Sequence, residues 1–267
     1  GFYLAFALVS LAAYGLIVHD GTPRARRAAA IYLILAVIGE VCLLLGLMLL
    51  AAATPGGSLL IRDAAAALPA SPWRDATVAL LVAGFGLKAG LVPLHPWLPL
   101  AHPAAPTPAS AVLSGAIVKA GLIGLIRFLT PEAALPGWGA ALAALGFATA
   151  FYGVAVGITQ DNPKTVLAYS TVSQMGLMTA VLGTALGAGG SAGAALALAL
   201  YAAHHVLAKG ALFLAAGVAG ATGARRLRAV LLPTAVLAVG MGGLPLTGGA
   251  LAKLAIKEPL GEGLPAA

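Results

Sequence analysis

Seven ionisable side chains stand inside stretches that are otherwise apolar: Glu40, Lys88, Lys119, His204, His205, Lys209 and Lys253. Their types suit proton transfer, because amine, imidazole and carboxyl groups held out of water can trade a proton at a small difference in free energy. A lysine at the centre of a bilayer costs about 2.5–3.5 kcal/mol on insertion scales, so the four lysines and Glu40 together imply a penalty on the order of 10 kcal/mol. Packing alone rarely retains such a set. Taken singly, each lysine has a plainer reading, in which it pairs with a backbone carbonyl or with a carboxylate on a helix outside this chain; the set as a whole favours a relay. His205 lies four residues before Lys209 and shares its helix face. His204 points about 100° away, so only one of the two histidines can face Lys209, and metal ligation by the pair is not expected. His95 and His102 fall in a proline-rich re-entry segment and are expected as hydrogen-bonded loop residues rather than ligands.

These side chains need scaffolding that only a membrane fold supplies. The chain of 267 residues is 61% apolar and 9% charged, against roughly 25% charged in ordinary soluble domains. The apolar residues form about eight runs long enough to cross some 30 Å of hydrocarbon at about 1.5 Å per residue. They are Phe2–Val18, Ile31–Ala53, Ala76–Leu94, Ser110–Leu129, Gly137–Ile158, Thr165–Leu186, Ala194–Val218 and Val230–Ile256. Backbone polar groups find no water in lipid, and the runs lack the alternation of a barrel strand, so they are expected as helices. The expectation is an all-α, polytopic transmembrane bundle forming one transmembrane domain over residues 1–267.

Basic residues set the orientation. If Arg24, Arg26 and Arg27 lie in the cytoplasm, counting spans places Lys164 and the turn with Arg225, Arg226 and Arg228 there too. The Thr54–Asp75 segment and the turn at Glu132 then lie outside. The chain begins with Gly and is apolar from Phe2, so it reads as a fragment lacking upstream helices rather than as a chain with a signal peptide. The net charge of +7 is divided among short turns and helix interiors, without the continuous stripe that nucleic acid requires. Cys42 stands alone in mid-span and reads as a core residue. No nucleotide loop or cysteine cluster appears, so no cofactor, metal or catalytic site is expected.

Two spans carry breaks. The third runs through Lys88 and Gly90 into Pro93, Pro96 and Pro99, and the eighth contains Gly242 to Gly249, with Gly243, Pro245 and Gly248 as the interrupting residues. Irregular backbone at membrane depth is tolerated only beside protein or a water-filled cavity, and paired breaks point to a transport site.

The stretch LKAGLVPLHPWLPLAHPAAPTPASAVLSGAIVKAGLIGLIRF, Leu87 to Phe128, resembles the signature of the antiporter-like subunits of respiratory complex I, membrane-bound hydrogenases and Mrp-type sodium/proton antiporters. The likeness continues through DNPKTVLAYSTVSQMG (Asp161–Gly176), HHVLAKGALFLAAG (His204–Gly217) and GGLPLTGGALAK (Gly242–Lys253). It implies two inverted repeats, each with a broken helix, truncated here at both ends, and a polar axis of protonatable residues at the midplane. By motif, Lys88 resembles the lysine before the first break, normally partnered by a glutamate on a neighbouring helix. Lys119 resembles the connecting lysine, His204, His205 and Lys209 the His/Lys helix, and Lys253 the terminal residue of the second broken helix.

One position departs from the pattern. Where the family carries that glutamate, this chain reads FALVSLAAY, with Ala7 at the matching place. Either Glu40 has taken over the acid's role, or translocation is altered or lost. The resemblance implies a proton-translocating subunit, with or without sodium exchange, in a multi-subunit complex of a bacterial inner membrane, electron transfer belonging to other subunits. Two alternatives stand beside it: a non-conducting scaffold, and a coupling subunit for uptake of another solute such as inorganic carbon.

Overall fold

The structure, a computed structural model, describes residues 1–130, 134–190, 193–222 and 224–262. The turn at Glu132 and the side chains of Arg225 and Arg226 lie outside the described residues. Every regular element among those described is helical: α1 (Phe2–Val18), α2 (Pro23–Ala53), α3 (Ile61–Ala67), α4 (Arg74–Ala89), α5 (Trp97–Ala104), α6 (Thr107–Val112), α7 (Val118–Phe128), α8 (Pro136–Gly157), α9 (Pro163–Gly187), α10 (Ala194–Ala221), α11 (Ala224–Met241) and α12 (Gly248–Glu262). A π-helical segment, Leu113–Ile117, joins α6 to α7.

Among the described residues, five continuous helices are long and apolar enough to cross a membrane: Pro23–Ala53, Thr107–Phe128, Pro136–Gly157, Pro163–Gly187 and Ala194–Ala221. The outer face of α2 is Ile34, Val37, Ile38, Val41, Leu44, Leu45 and Met48, all exposed, which is a lipid-facing stripe rather than a water-facing one. Cys42, on the same helix, is half-buried rather than a core residue.

The helix boundaries correct several expectations. α2 starts at Pro23, well before Ile31, because Thr22 caps it by accepting from the Ala25 N–H at 3.1 Å and Pro23 occupies its first turn. Its three arginines are therefore helical. The eighth run is broken where its glycines and proline predict, into α11 and α12, whereas the Thr54–Asp75 connection contains the unexpected α3. α9 is opened by Asn162, whose side-chain Oδ1 accepts from Lys164 and Thr165 N–H, with Pro163 in its first turn.

Glycines bring the site-bearing helices together. A Cβ at Gly84 would fall 2.7 Å from the Gly39 carbonyl oxygen, and one at Gly121 would fall 2.4 Å from that of Phe85, so α2, α4 and α7 touch backbone to backbone. α8 and α9 are zipped in the same way, Gly139 against Gly183, Gly146 against Gly176 and Gly153 against the Tyr169 and Ser173 backbone, a seven-residue spacing that holds one seam in register. A Cβ at Gly146 would lie 2.3 Å from the Ala180 nitrogen, and no flexible side chain is there to yield. Gly146→Val is expected to cost about 3 kcal/mol, the upper end for overpacking, and to lower the unfolding temperature in detergent. Gly210→Ala, with nothing within 4 Å, serves as the control and should be neutral. Equal melting of the two variants would show that the seam is dispensable.

Candidate functional site

Both broken helices end in the same way. Gly90 takes φ +78°, and its N–H donates to the Leu87 carbonyl while the Leu91 N–H reaches back to Gly86 at 2.9 Å. Gly243 takes φ +96°, with its N–H on Gly240 and the Leu244 N–H on Val239 at 3.3 Å. This left-handed glycine termination satisfies the last carbonyls of α4 and α11, and residues with a Cβ adopt it only under strain. Further donors complete each break. Trp97 Nε1 donates to the Leu87 carbonyl at 2.8 Å, and the Val92 N–H donates to Thr149 Oγ1 at 3.2 Å. At the second break Lys253 Nζ donates to the Gly242 carbonyl, and Thr247 Oγ1 donates to Gly240 at 3.2 Å and to Leu244 at 2.6 Å.

Beside the first break lies a buried ion pair. Lys88 is the penultimate residue of α4, and its Nζ stands 3.9 Å from Glu40 Oε1 on α2, the two side chains 3% and 13% exposed. Ser10 of α1 sits between them. Its hydroxyl donates to Glu40 Oε1 at 2.5 Å and accepts from Lys88 Nζ. Tyr32 lies two turns before Glu40 on α2, donates to the Ser10 carbonyl at 3.1 Å, and presents its hydroxyl 3.5 Å from Lys88 Nζ. The ammonium also lies 4.9 Å from the Phe6 ring centroid and 5.8 Å from that of Tyr32, which offsets part of its desolvation through the ring quadrupoles.

A second centre is built on Lys119. The π-helical segment widens the helix just before it, a distortion often found at functional positions, and Lys119 Nζ donates to the Ser114 carbonyl at 2.6 Å. The same nitrogen lies 2.5 Å from His205 Nδ1 on α10. Ser114 Oγ is 2.7 Å from Thr171 Oγ1, which donates to the Leu167 carbonyl at 3.0 Å; Lys209 Nζ donates to that carbonyl, also at 3.0 Å. Lys119, His205 and Lys209 thus share one buried polar layer spanning α7, α9 and α10, and Lys209 is fully buried.

The remaining residues lie apart from it. His204 packs at the second break, where a Cβ at Gly248 would meet its Nδ1 at 2.9 Å, so adjacent histidines serve different neighbours. Lys253 holds a break carbonyl from an exposed position on α12 and makes no hydrogen bond to the Lys119 layer among the described residues. His102 differs from the expectation of a hydrogen-bonded loop residue. It lies inside α5, is fully buried and stacks on Phe213 at 4.5 Å, with neither ring nitrogen hydrogen-bonded to the described residues. His95 does lie in the connection, edge-on to Tyr152 at 4.9 Å, but its Nδ1 likewise has no partner among the described residues.

Reasoning from charged residues passes over Ser10, Tyr32, Ser114 and Thr171. A signal was present: Ser10 is the polar residue at the middle of the apolar run Phe2–Val18, and buried hydroxyls at mid-depth must find partners. Two ends of the bundle also fix which turns share a side. Trp138 Nε1 at the start of α8 donates to Asp75 Oδ1 at the start of α4 at 3.0 Å, and Lys164 Nζ donates to the Ala105 carbonyl at 2.8 Å.

Residues 1–258 match the family described as NADH:quinone oxidoreductase/Mrp antiporter, TM. An uncharacterized protein of Mycobacterium tuberculosis (strain ATCC 25618 / H37Rv) is 40% identical over 280 residues, covering 97% of this chain and 43% of the relative. Hydrogenase-4 component B of Escherichia coli (strain K12) is 35% identical over 233 residues, covering 81% of this chain and 33% of that protein. The chain therefore spans less than half the length of either. Among solved structures, a chain of the membrane-bound sulfane sulfur reductase, an archaeal respiratory membrane complex, superposes with a TM-score of 0.83 at 24% identity, over 98% of this chain and 57% of that one. That likeness shows a shared fold.

Proposed function

This chain belongs to the NADH:quinone oxidoreductase/Mrp antiporter membrane family, and from that premise we propose that it moves protons across a membrane through Glu40, Lys88, Lys119, His205 and Lys209. The observation that carries this reading is the pair of buried centres, Lys88 with Glu40 and Lys119 with His205, each holding a lysine beside a group able to accept its proton. A scaffold that conducts nothing would have little use for a buried ion pair, whose replacement as a whole by apolar residues is commonly neutral or stabilising. Lys253, and His204 against the second break, serve the far end of the path; Pro93 at the first break and the Gly242–Thr247 segment at the second mark non-helical backbone able to meet water. The assembly is a multi-subunit complex in a bacterial cell membrane, with the basic helix starts at Arg24–Arg27, Lys164 and Arg225–Arg228 in the cytoplasm.

The test uses the full-length protein in its native complex, reconstituted into sealed vesicles with a pH-sensitive dye inside. Proton movement is expected under an imposed potential, since each 100 mV supplies about 2.3 kcal/mol per charge. It should continue in sodium-free buffer. Flux no greater than in vesicles holding the complex without this subunit would sink the reading; a strict sodium requirement would convert it to obligatory exchange.

A further inference from the structure

Glu40 and Lys88 are close enough to attract one another but too far apart to share a proton: 3.9 Å separates Oε1 from Nζ, beyond hydrogen-bond reach. Ser10 closes that gap, since its single hydroxyl touches both. Its position is determined from several sides. The side chain is 4% exposed, its carbonyl is held by Tyr32 Oη, and it lies with Phe6, Ala13 and Ile17 on the buried face of α1, a helix that packs against α2. Ser10 also lies one turn after Ala7, the place of the expected acid, so the hydroxyl on α1 faces the lysine from the helix that lacks a carboxylate.

Resting on the proton-relay reading above, we propose that Ser10 is the relay residue through which Lys88 and Glu40 exchange a proton. In the transfer, an N–H bond of the Lys88 ammonium breaks as a new O–H bond forms on Ser10 Oγ. The original Ser10 O–H bond breaks as its proton bonds to Glu40 Oε1. Lysine ends as a neutral amine, glutamate as a neutral carboxylic acid, and serine again carries one proton; rotation about its Cβ–Oγ bond resets the bridge. No charge is gained or lost overall. The hydroxyl on α1 and the carboxyl on α2 together supply what one carboxylate on α1 would have supplied. The ionised and the neutral pair carry the same net charge, so the exchange moves the proton within the first centre without moving charge out of it.

The experiment measures proton flux in vesicles holding the full-length protein with its partner subunits, for Ser10→Ala, Ser10→Thr, Glu40→Gln and Lys88→Met. Ser10→Ala should lower flux about tenfold or more, and Ser10→Thr, which restores a hydroxyl, should return it to within about twofold of the parent. Infrared difference spectra add a readout that helix packing alone would not move: the carboxyl band abolished by Glu40→Gln should shift in Ser10→Ala and return in Ser10→Thr. If Ser10→Ala does not assemble, Ser10→Cys retains the volume with a weak donor, and should conduct at least about fivefold less than Ser10→Thr. Parental flux in Ser10→Ala, with flux lost in Glu40→Gln and Lys88→Met, overturns the bridge and leaves the relay standing. Parental flux in Glu40→Gln and Lys88→Met overturns the relay itself.

Discussion

Lys119→Ala should reduce proton flux by about 100-fold or more, equivalent to roughly 2.7 kcal/mol on the transfer barrier, in a complex that still assembles. Lys119 stands where three helices meet, with its ammonium between the Ser114 carbonyl and His205 Nδ1, and through Ser114 and Thr171 it joins the carbonyl that also holds Lys209. Removing the amine breaks that layer at its centre, because no other titratable group described lies within hydrogen-bond reach of His205 Nδ1. Assembly should survive, since α7 packs on α4 through Gly121 and Gly124 rather than through the lysine. Lys119→Arg separates charge from proton exchange: it retains the cation, but guanidinium does not release its proton, so flux should fall nearly as far. Full flux in Lys119→Arg would mean that the site needs only a positive charge, and full flux in Lys119→Ala would remove it from the path. Dye-monitored flux in vesicles, normalised to the amount of assembled complex, distinguishes these results.

The parts of this architecture visible in sequence are those governed by composition and local chemistry. Long apolar runs must be helices in lipid, and α1, α8, α9 and α10 begin and end within three residues of their runs. The two breaks are written in glycine and proline. Both use the same local left-handed glycine termination, and only the contacts made there reveal that one has its lysine inside the helix and the other a lysine returning from α12. The start of α2 was hidden because arginines read as a turn, although Thr22 and Pro23 supply a helix start. Within the site, charge made the lysines conspicuous while neutral hydroxyls were not. Ser10, Tyr32, Ser114 and Thr171 gain their roles from neighbours between 22 and 78 positions away, and nothing local in sequence encodes such separations. His102 shows the converse, a residue whose proline-rich setting suggests a hydrogen-bonded loop position and whose actual place is a fully buried helix face against Phe213.

Glu40→Gln and Lys88→Met should each abolish most flux, and in combination should do little further harm. Glu40 is on α2 and Lys88 on α4, helices held together where Gly39 and Gly84 meet, and no carboxylate other than Glu40 lies within ion-pair distance of Lys88 among the described residues. Removing either partner leaves the other without its exchange partner, so the first substitution stops the step and the second has nothing left to stop. A double-mutant cycle on flux should therefore show strong non-additivity, with a coupling of about 1–3 kcal/mol for groups in one hydrogen-bonded network. Stability should show a related pattern: Lys88→Met alone leaves a buried carboxylate without its cation, whereas the double variant removes both charges and should recover part of the lost stability. Additive effects on flux would show that Glu40 is not the acid that serves Lys88. The departure at Ala7 would then stand as a loss of the family's pairing rather than its relocation.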